Sequence, residues 1–190
     1  MHEEAIFAGF GGQGIMLMGQ LLTYAGMMEG ANVSWMPSYG PEMRGGTANC
    51  QVVISSKGVS SPLVTEPLSL VALNKPSLHK FAPWVAREGL IVYNSSLIEA
   101  PPERRDVRIL GVPCNEVANE LGDLRTANMV ALGAYLAITK VVSFETVLDA
   151  MKMVLPERRH NLIPLNRQAL SRGMEIASLW HSQDPGREIS

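Results

Sequence analysis

The sequence predicts a Rossmann-like α/β fold: a mostly parallel sheet sandwiched by helices, followed by a helical C-terminal part. Three observations carry the prediction. As far as Val112, apolar runs of strand length alternate with stretches that are apolar at helical spacing. The segment Gly9-Phe-Gly-Gly-Gln-Gly14 fits G-x-G-x-x-G and lies between the first apolar run and the first helical one. That is the strand–turn–helix setting of a phosphate-cradling loop. After Val112 the strand-like runs stop and only helical patterns follow.

The first strand is read at Ala5 to Gly9. From Gly14 to about Glu29, residues Ile15, Met18, Leu21, Leu22, Ala25 and Met28 recur at helical spacing, and Gly30 is placed to end that helix. A second strand at Val33 to Met36 is cut off by Pro37. Thr47 to Ser55 alternates Ala48, Cys50, Val52 and Ile54 with polar Asn49 and Gln51, the pattern of a half-exposed strand near a sheet edge. Leu68 to Leu73 and Leu90 to Tyr93 are unbroken apolar runs, as in buried parallel strands, with a crossover helix over Pro76 to Arg87 between them. Val107 to Val112 is the last strand.

Beyond it, Asn115 to Leu121 reads as a short helix. Ala127 to Ile138 is apolar nearly all round, as in a buried helix. Ser143 is a capping residue for a helix running to Leu155, where Pro156 stops it. Asn161 is expected to cap another, with Pro164 in its first turn, reaching about Trp180. Neither repeat nor linker interrupts the pattern, so one domain is expected over 1–181, with a flexible tail at 182–190.

Composition narrows the function classes. A net charge of -2 gives no general pull toward nucleic acid or membrane lipid. No apolar stretch reaches the roughly 18 residues needed to span a bilayer. The Met1-His-Glu-Glu4 start is acidic where a secretory signal is basic, so a cytoplasmic protein is expected. The two cysteines, Cys50 and Cys114, lie far apart in apolar surroundings and read as buried reduced thiols. Two thiols do not ligate a cubane iron–sulfur cluster, which usually takes four. The four histidines are scattered without metal-ligand spacing.

A second loop motif, Ser38-Tyr-Gly-Pro-Glu-Met-Arg-Gly-Gly46, follows the second strand. Ligands of open α/β sheets bind outside the carboxyl ends of the strands, where the polar residues of this chain fall. The candidate anion-binding residues are therefore Gly9, Gly11, Gly12, Gln13, Gly14, Ser38, Tyr39, Arg44, Asn74 and Asn94. The glycine loop supplies backbone amides and Arg44 a guanidinium. Asn74 and Asn94 are equally read as turn residues, and Tyr39 as a ring packed on the sheet. A nicotinamide dinucleotide is disfavoured: its ribose calls for an acid closing the second strand, and Val33-Ser-Trp-Met-Pro-Ser38 has none.

Phe7-Ala-Gly-Phe-Gly-Gly-Gln-Gly-Ile15, the Ser38–Gly46 loop and Ala127-Asn-Met-Val-Ala-Leu-Gly133 together resemble the gamma subunit of 2-oxoacid:ferredoxin oxidoreductases, over roughly residues 4 to 180. The look is nearest to the 2-oxoglutarate and branched-chain 2-oxoacid types. The resemblance implies a hetero-oligomeric enzyme that converts a 2-oxo acid and coenzyme A to acyl-CoA and CO2. It implies thiamine diphosphate, magnesium and iron–sulfur clusters on alpha, beta and delta-type ferredoxin-like partner subunits, with ferredoxin or a similar protein as acceptor. This chain would have no catalytic residue and be inert alone; it would pack on the catalytic subunits and help bind or cover coenzyme A. Two other readings stay open, a free-standing nucleotide-binding protein and a purely structural assembly subunit. With 46% apolar residues and 11 methionines, an exposed apolar patch and a homodimer of the isolated chain are also expected.

Overall fold

The computed structural model describes residues 1–38 and 48–183, with side chains as far as Trp180. Six strands form one sheet in the order β2-β3-β1-β4-β5-β6. They are β1 (His2–Gly9), β2 (Asn32–Ser38), β3 (Ala48–Ser55), β4 (Ser69–Ala72), β5 (Leu90–Asn94) and β6 (Arg108–Val112). β1, β4, β5 and β6 are parallel neighbours. β3 runs antiparallel to both β1 and β2. Only β3 therefore opposes the common direction, and the sheet is mixed.

The helices are α1 (Ile15–Met28), α2 (Lys75–Phe81), α3 (Cys114–Glu120), α4 (Ala127–Thr139), α5 (Phe144–Val154) and α6 (Ile163–Gln183). The period-two alternation of the strands sorts their side chains to two faces. Ala5, Phe7, Val52, Ile54, Val71 and Val92 join the larger core with α1 and the C-terminal helices. Ile6, Ala8, Val53, Leu70 and Ile91 meet α2 and Val64 on the other face.

Ser143 accepts the Thr146 N–H at 3.1 Å and caps α5, as its sequence position predicts. α4 and α6 cross at a glycine-to-backbone contact in both directions. A Cβ on Gly133 would overlap the Leu170 carbonyl, and one on Gly173 would overlap that of Val130. At the amino end of the sheet, buried Tyr135 donates to Glu3 Oε1 at 3.0 Å and sets its ring edge-on to Phe7, with centroids 5.5 Å apart.

Three expectations are corrected. β3 lies near the sheet edge, next to edge strand β2, but it is almost wholly buried rather than half-exposed. The polar alternation misled because the chain after β3 covers that face, the Val64 N–H donating to Gln51 Oε1 at 2.7 Å. Pro37 does not end β2, which continues to Ser38. As an edge strand it has one side without ladder bonds, where a missing N–H costs nothing. Asn161 does not cap α6; it sits within a 3-10 turn, Glu157–Leu162, that leads directly into the helix. α6 itself runs on to Gln183, into the segment expected as tail.

Candidate functional site

β1 ends at Gly9, and the chain reverses through Phe10 to Gly14 before α1 starts at Ile15. The turn is closed by its own groups: Gln13 N–H donates to Phe10 O at 3.2 Å, and Phe10 N–H to Gln13 Oε1 at 2.6 Å. Gln13 Nε2 then reaches Leu73 O at 3.3 Å, and Asn74 Nδ2 reaches Gln13 Oε1 at 3.4 Å. The Gln13 side chain thus ties the glycine loop to the carboxyl end of β4. The Gln13 backbone N–H, expected to face a ligand, is spent on Phe10 O within the turn.

Gly12 (φ 91) and Gly14 (φ 75) occupy the left-handed region, which other residues adopt only under strain. At Gly14 sterics add to this, because a Cβ would collide with Asn128 Nδ2. Gly14 is the N-cap of α1 and brings no capping side chain, and the first turn has no acidic residue. The start of a 14-residue helix, with its partial positive charge, is left for an outside acceptor.

That helix start opens on a cleft of 410 Å³ whose lining includes Phe10, Gly11, Gly12, Gly14, Gln20 and Arg159. Arg159 lies on the Glu157–Leu162 turn after α5 and is exposed. Its guanidinium has no hydrogen-bond or ion-pair partner among the described residues. It also lines a second cleft of 190 Å³, with Arg125, Asn128 and Asn166. A third, of 180 Å³, is walled by Gly12, Gln13, Asn94, Asn115, Arg125 and Asn128. Arg125 hydrogen-bonds Asp123, at 2.6 Å to Oδ2, and holds that carboxyl below its ordinary range. Of the two arginines lining these clefts, Arg159 is the one without a partner among the described residues.

The other expected residues divide. Asn74 is buried and N-caps α2, accepting from Ser77 N–H at 2.8 Å. Asn94 is buried, accepts from Ser96 N–H at 3.2 Å and donates to Asn115 Oδ1 at 2.8 Å. Asn94 also lines the 180 Å³ pocket, whereas Asn74 reaches the loop through Gln13. Ser38 is exposed at the end of β2. Tyr39 and Arg44 lie outside the described residues, as does the question of whether Arg44 reaches the glycine loop. The strands fix where their segment starts and ends: Ser38 pairs with Asn49, and Ala48 with Gly9, so both ends leave the sheet beside the glycine loop. Sequence reasoning passed over Arg159, Arg125 and Asn115. Asn128 alone carried a signal, inside the Ala127–Gly133 motif.

Neither thiol suits a metal. Cys50 and Cys114 are fully buried, and burial pushes the Cys50 thiol up to about 12 and that of Cys114 higher still. Cys50 Sγ is instead directed at Ile15 O, 3.5 Å away. Among the described residues, no group of His, Cys, Asp and Glu is placed to hold a metal ion, and no helix is long and apolar enough to cross a membrane. The donor set does not fit an iron–sulfur cluster.

The glycine loop heads α1 in a Rossmann-like α/β fold with a reversed β3 beside it and a closely crossed pair of C-terminal helices. The chain belongs to the pyruvate ferredoxin/flavodoxin oxidoreductase family, which matches residues 4–176. It is 44% identical over 171 residues to ketoisovalerate oxidoreductase subunit VorA of Methanothermobacter thermautotrophicus, covering 90% of this chain but 35% of that protein. It is 33% identical over 181 residues to 2-oxoglutarate synthase subunit KorC of Methanocaldococcus jannaschii, covering 93% of this chain and 95% of that one. Its fold matches the gamma subunit of a keto/oxoacid ferredoxin oxidoreductase from Geobacter sulfurreducens with a TM-score of 0.81 at 31% identity, over 93% of this chain and 99% of the other.

Proposed function

We propose that this chain is the gamma-type, non-redox subunit of a thiamine-diphosphate-dependent 2-oxoacid:ferredoxin oxidoreductase, and that it contributes contacts to coenzyme A. In the whole enzyme a 2-oxo acid and coenzyme A give acyl-CoA and CO2, and the two electrons released pass to ferredoxin. Thiamine diphosphate, magnesium and the iron–sulfur clusters belong to alpha, beta and delta-type partners, on which this chain packs. The observation that supports the coenzyme A role is the open N-terminus of α1 facing unpaired Arg159 across one cleft of 410 Å³. That volume lies in the range of small-molecule sites, about 300–1,000 Å³. Backbone amides and a guanidinium suit the phosphates of coenzyme A.

Reconstitution tests the reading. The purified chain alone is expected to be colourless and inactive toward 2-oxo acid, coenzyme A and a viologen dye; activity returns when alpha and beta partners are added. Turnover by the isolated chain would falsify the subunit assignment. Full coenzyme A saturation behaviour in a complex lacking this chain would reduce its role to assembly.

A further inference from the structure

The 180 Å³ pocket is chemically unlike the larger cleft it adjoins. It shares Gly12 with that cleft; four carboxamides and Arg125 line it, beside apolar Leu73, Leu124 and Ala127. Asn94 and Asn115 pair in its wall: Asn115 Oδ1 accepts from Asn94 Nδ2 at 2.8 Å, which leaves Asn115 Nδ2 without a partner among the described residues. Asn128 gives one N–H to Gly14 O at 3.3 Å and keeps the other. Arg125 turns Nε and Nη2 to Asp123 and leaves Nη1 uncommitted. Asp123 does not line this pocket. The pocket wall therefore holds three unspent donors, on Asn115, Asn128 and Arg125, the last with its charge already paired to Asp123 outside the wall. Its volume equals about six waters at roughly 30 Å³ each, room for one tetrahedral oxyanion and far too little for a nucleotide.

We infer that this pocket is a subsite for a phosphate group, the terminal phosphate monoester of a ligand whose body lies in the 410 Å³ cleft. Asn115 Nδ2, Asn128 Nδ2 and Arg125 Nη1 hold its oxygens. The identity of the ligand body rests on the coenzyme A reading; the phosphate chemistry of the pocket does not. Gly12, common to the lining of both spaces, has nothing within 4 Å of where a Cβ would stand.

Asn115→Asp is the discriminating variant. It keeps the oxygen that accepts from Asn94, replaces the free N–H2 by a charged oxygen, and places an acid in the first turn of α3, where it favours the helix. Calorimetric titration of the full-length chain uses coenzyme A, 3′-dephospho-coenzyme A, inorganic phosphate and acetate. Expected is a loss of at least about tenfold in coenzyme A affinity for Asn115→Asp, with unchanged thermal stability. Dephospho-coenzyme A should bind the native and variant chains alike. Arg125→Gln should show the same pattern more weakly. Equal coenzyme A affinity of native and Asn115→Asp chains overturns the proposal, as does tighter binding of acetate than of phosphate. If coenzyme A fails to bind at all while inorganic phosphate binds and is lost in Asn115→Asp, the pocket stands as a free-phosphate site and the coenzyme A reading falls. Loss of coenzyme A binding in Arg159→Gln but not in Asn115→Asp leaves the cleft and removes the pocket.

Discussion

Asn128 and Gly14 are 114 residues apart in the chain, yet the Asn128 side-chain amide donates to the Gly14 carbonyl at 3.3 Å. The same amide occupies the space a Cβ on Gly14 would need. The head of α4 is thereby seated on the head of α1, and the glycine loop is held between Asn128 on one side and the end of β4 on the other.

Gly14→Ala combines a left-handed φ of 75° with that collision. It should cost about 1–3 kcal/mol in denaturant unfolding. Asn128→Ala in the same chain removes the collision and leaves the backbone strain, so the double variant should be less destabilised than the sum of the two singles. Strict additivity would show that the two residues act separately.

Gly133→Ala and Gly173→Ala each drive a methyl into a backbone carbonyl of the facing helix. Rigid backbone does not yield as a side chain does, so α4 and α6 must separate. Either substitution should lower stability by about 1–3 kcal/mol through overpacking, or more. Thermal melts of the two variants against the native chain read the difference.

Glu3 gives a pH dependence of known sign. Burial raises its pKa above the ordinary 4.5, outweighing the hydrogen bonds from Ser69 and Tyr135. The native state therefore holds the proton to higher pH than the unfolded chain. Stability is fully present below 4.5 and falls as pH rises through the raised value. Glu3→Gln keeps an acceptor for Tyr135 and removes the charge. Its melting temperature should exceed that of the native chain at pH 7, with the gap closing toward pH 4.

Arg159 has no partner in the described structure, so Arg159→Gln should leave the melting temperature unchanged. If a guanidinium–phosphate bond is lost, coenzyme A binding should weaken by about 1.5–3 kcal/mol. A variant with native coenzyme A affinity would assign Arg159 to solvent.

Both thiols should be silent to a thiol reagent at pH 8 in the native chain, because a thiol held near 12 or above offers almost no thiolate. Both should react at once in denaturant. Native-state labelling at a free-thiol rate would contradict the burial of Cys50 and Cys114.

Much of the fold was legible because its signals are local. The turn at Gly9–Gly14 needs glycines where φ is positive; Ser143 stands one residue before α5; the unbroken apolar runs at β4 and β5 are buried on both faces. What misled were residues whose meaning depends on distant partners. Gln51 looked solvated until Val64 covered it, and Pro37 looked like a stop until β2 proved to be an edge. The site followed the same rule. Its loop was readable from spacing, whereas Arg159 reaches it from a turn almost 150 positions away, in a Glu-Arg-Arg-His run with no pattern of its own.

The reversal of β3 makes one register serve both the outer strand and the glycine loop. Ser38 and Ala48 lie at the ends of adjacent strands, whose pairing is fixed from Asn32 opposite Ser55 to Ser38 opposite Asn49, and Ala48 lies opposite Gly9. A one-residue slip of β3 would therefore turn its buried side chains to the other face of the sheet and displace the strand end that flanks Gly9.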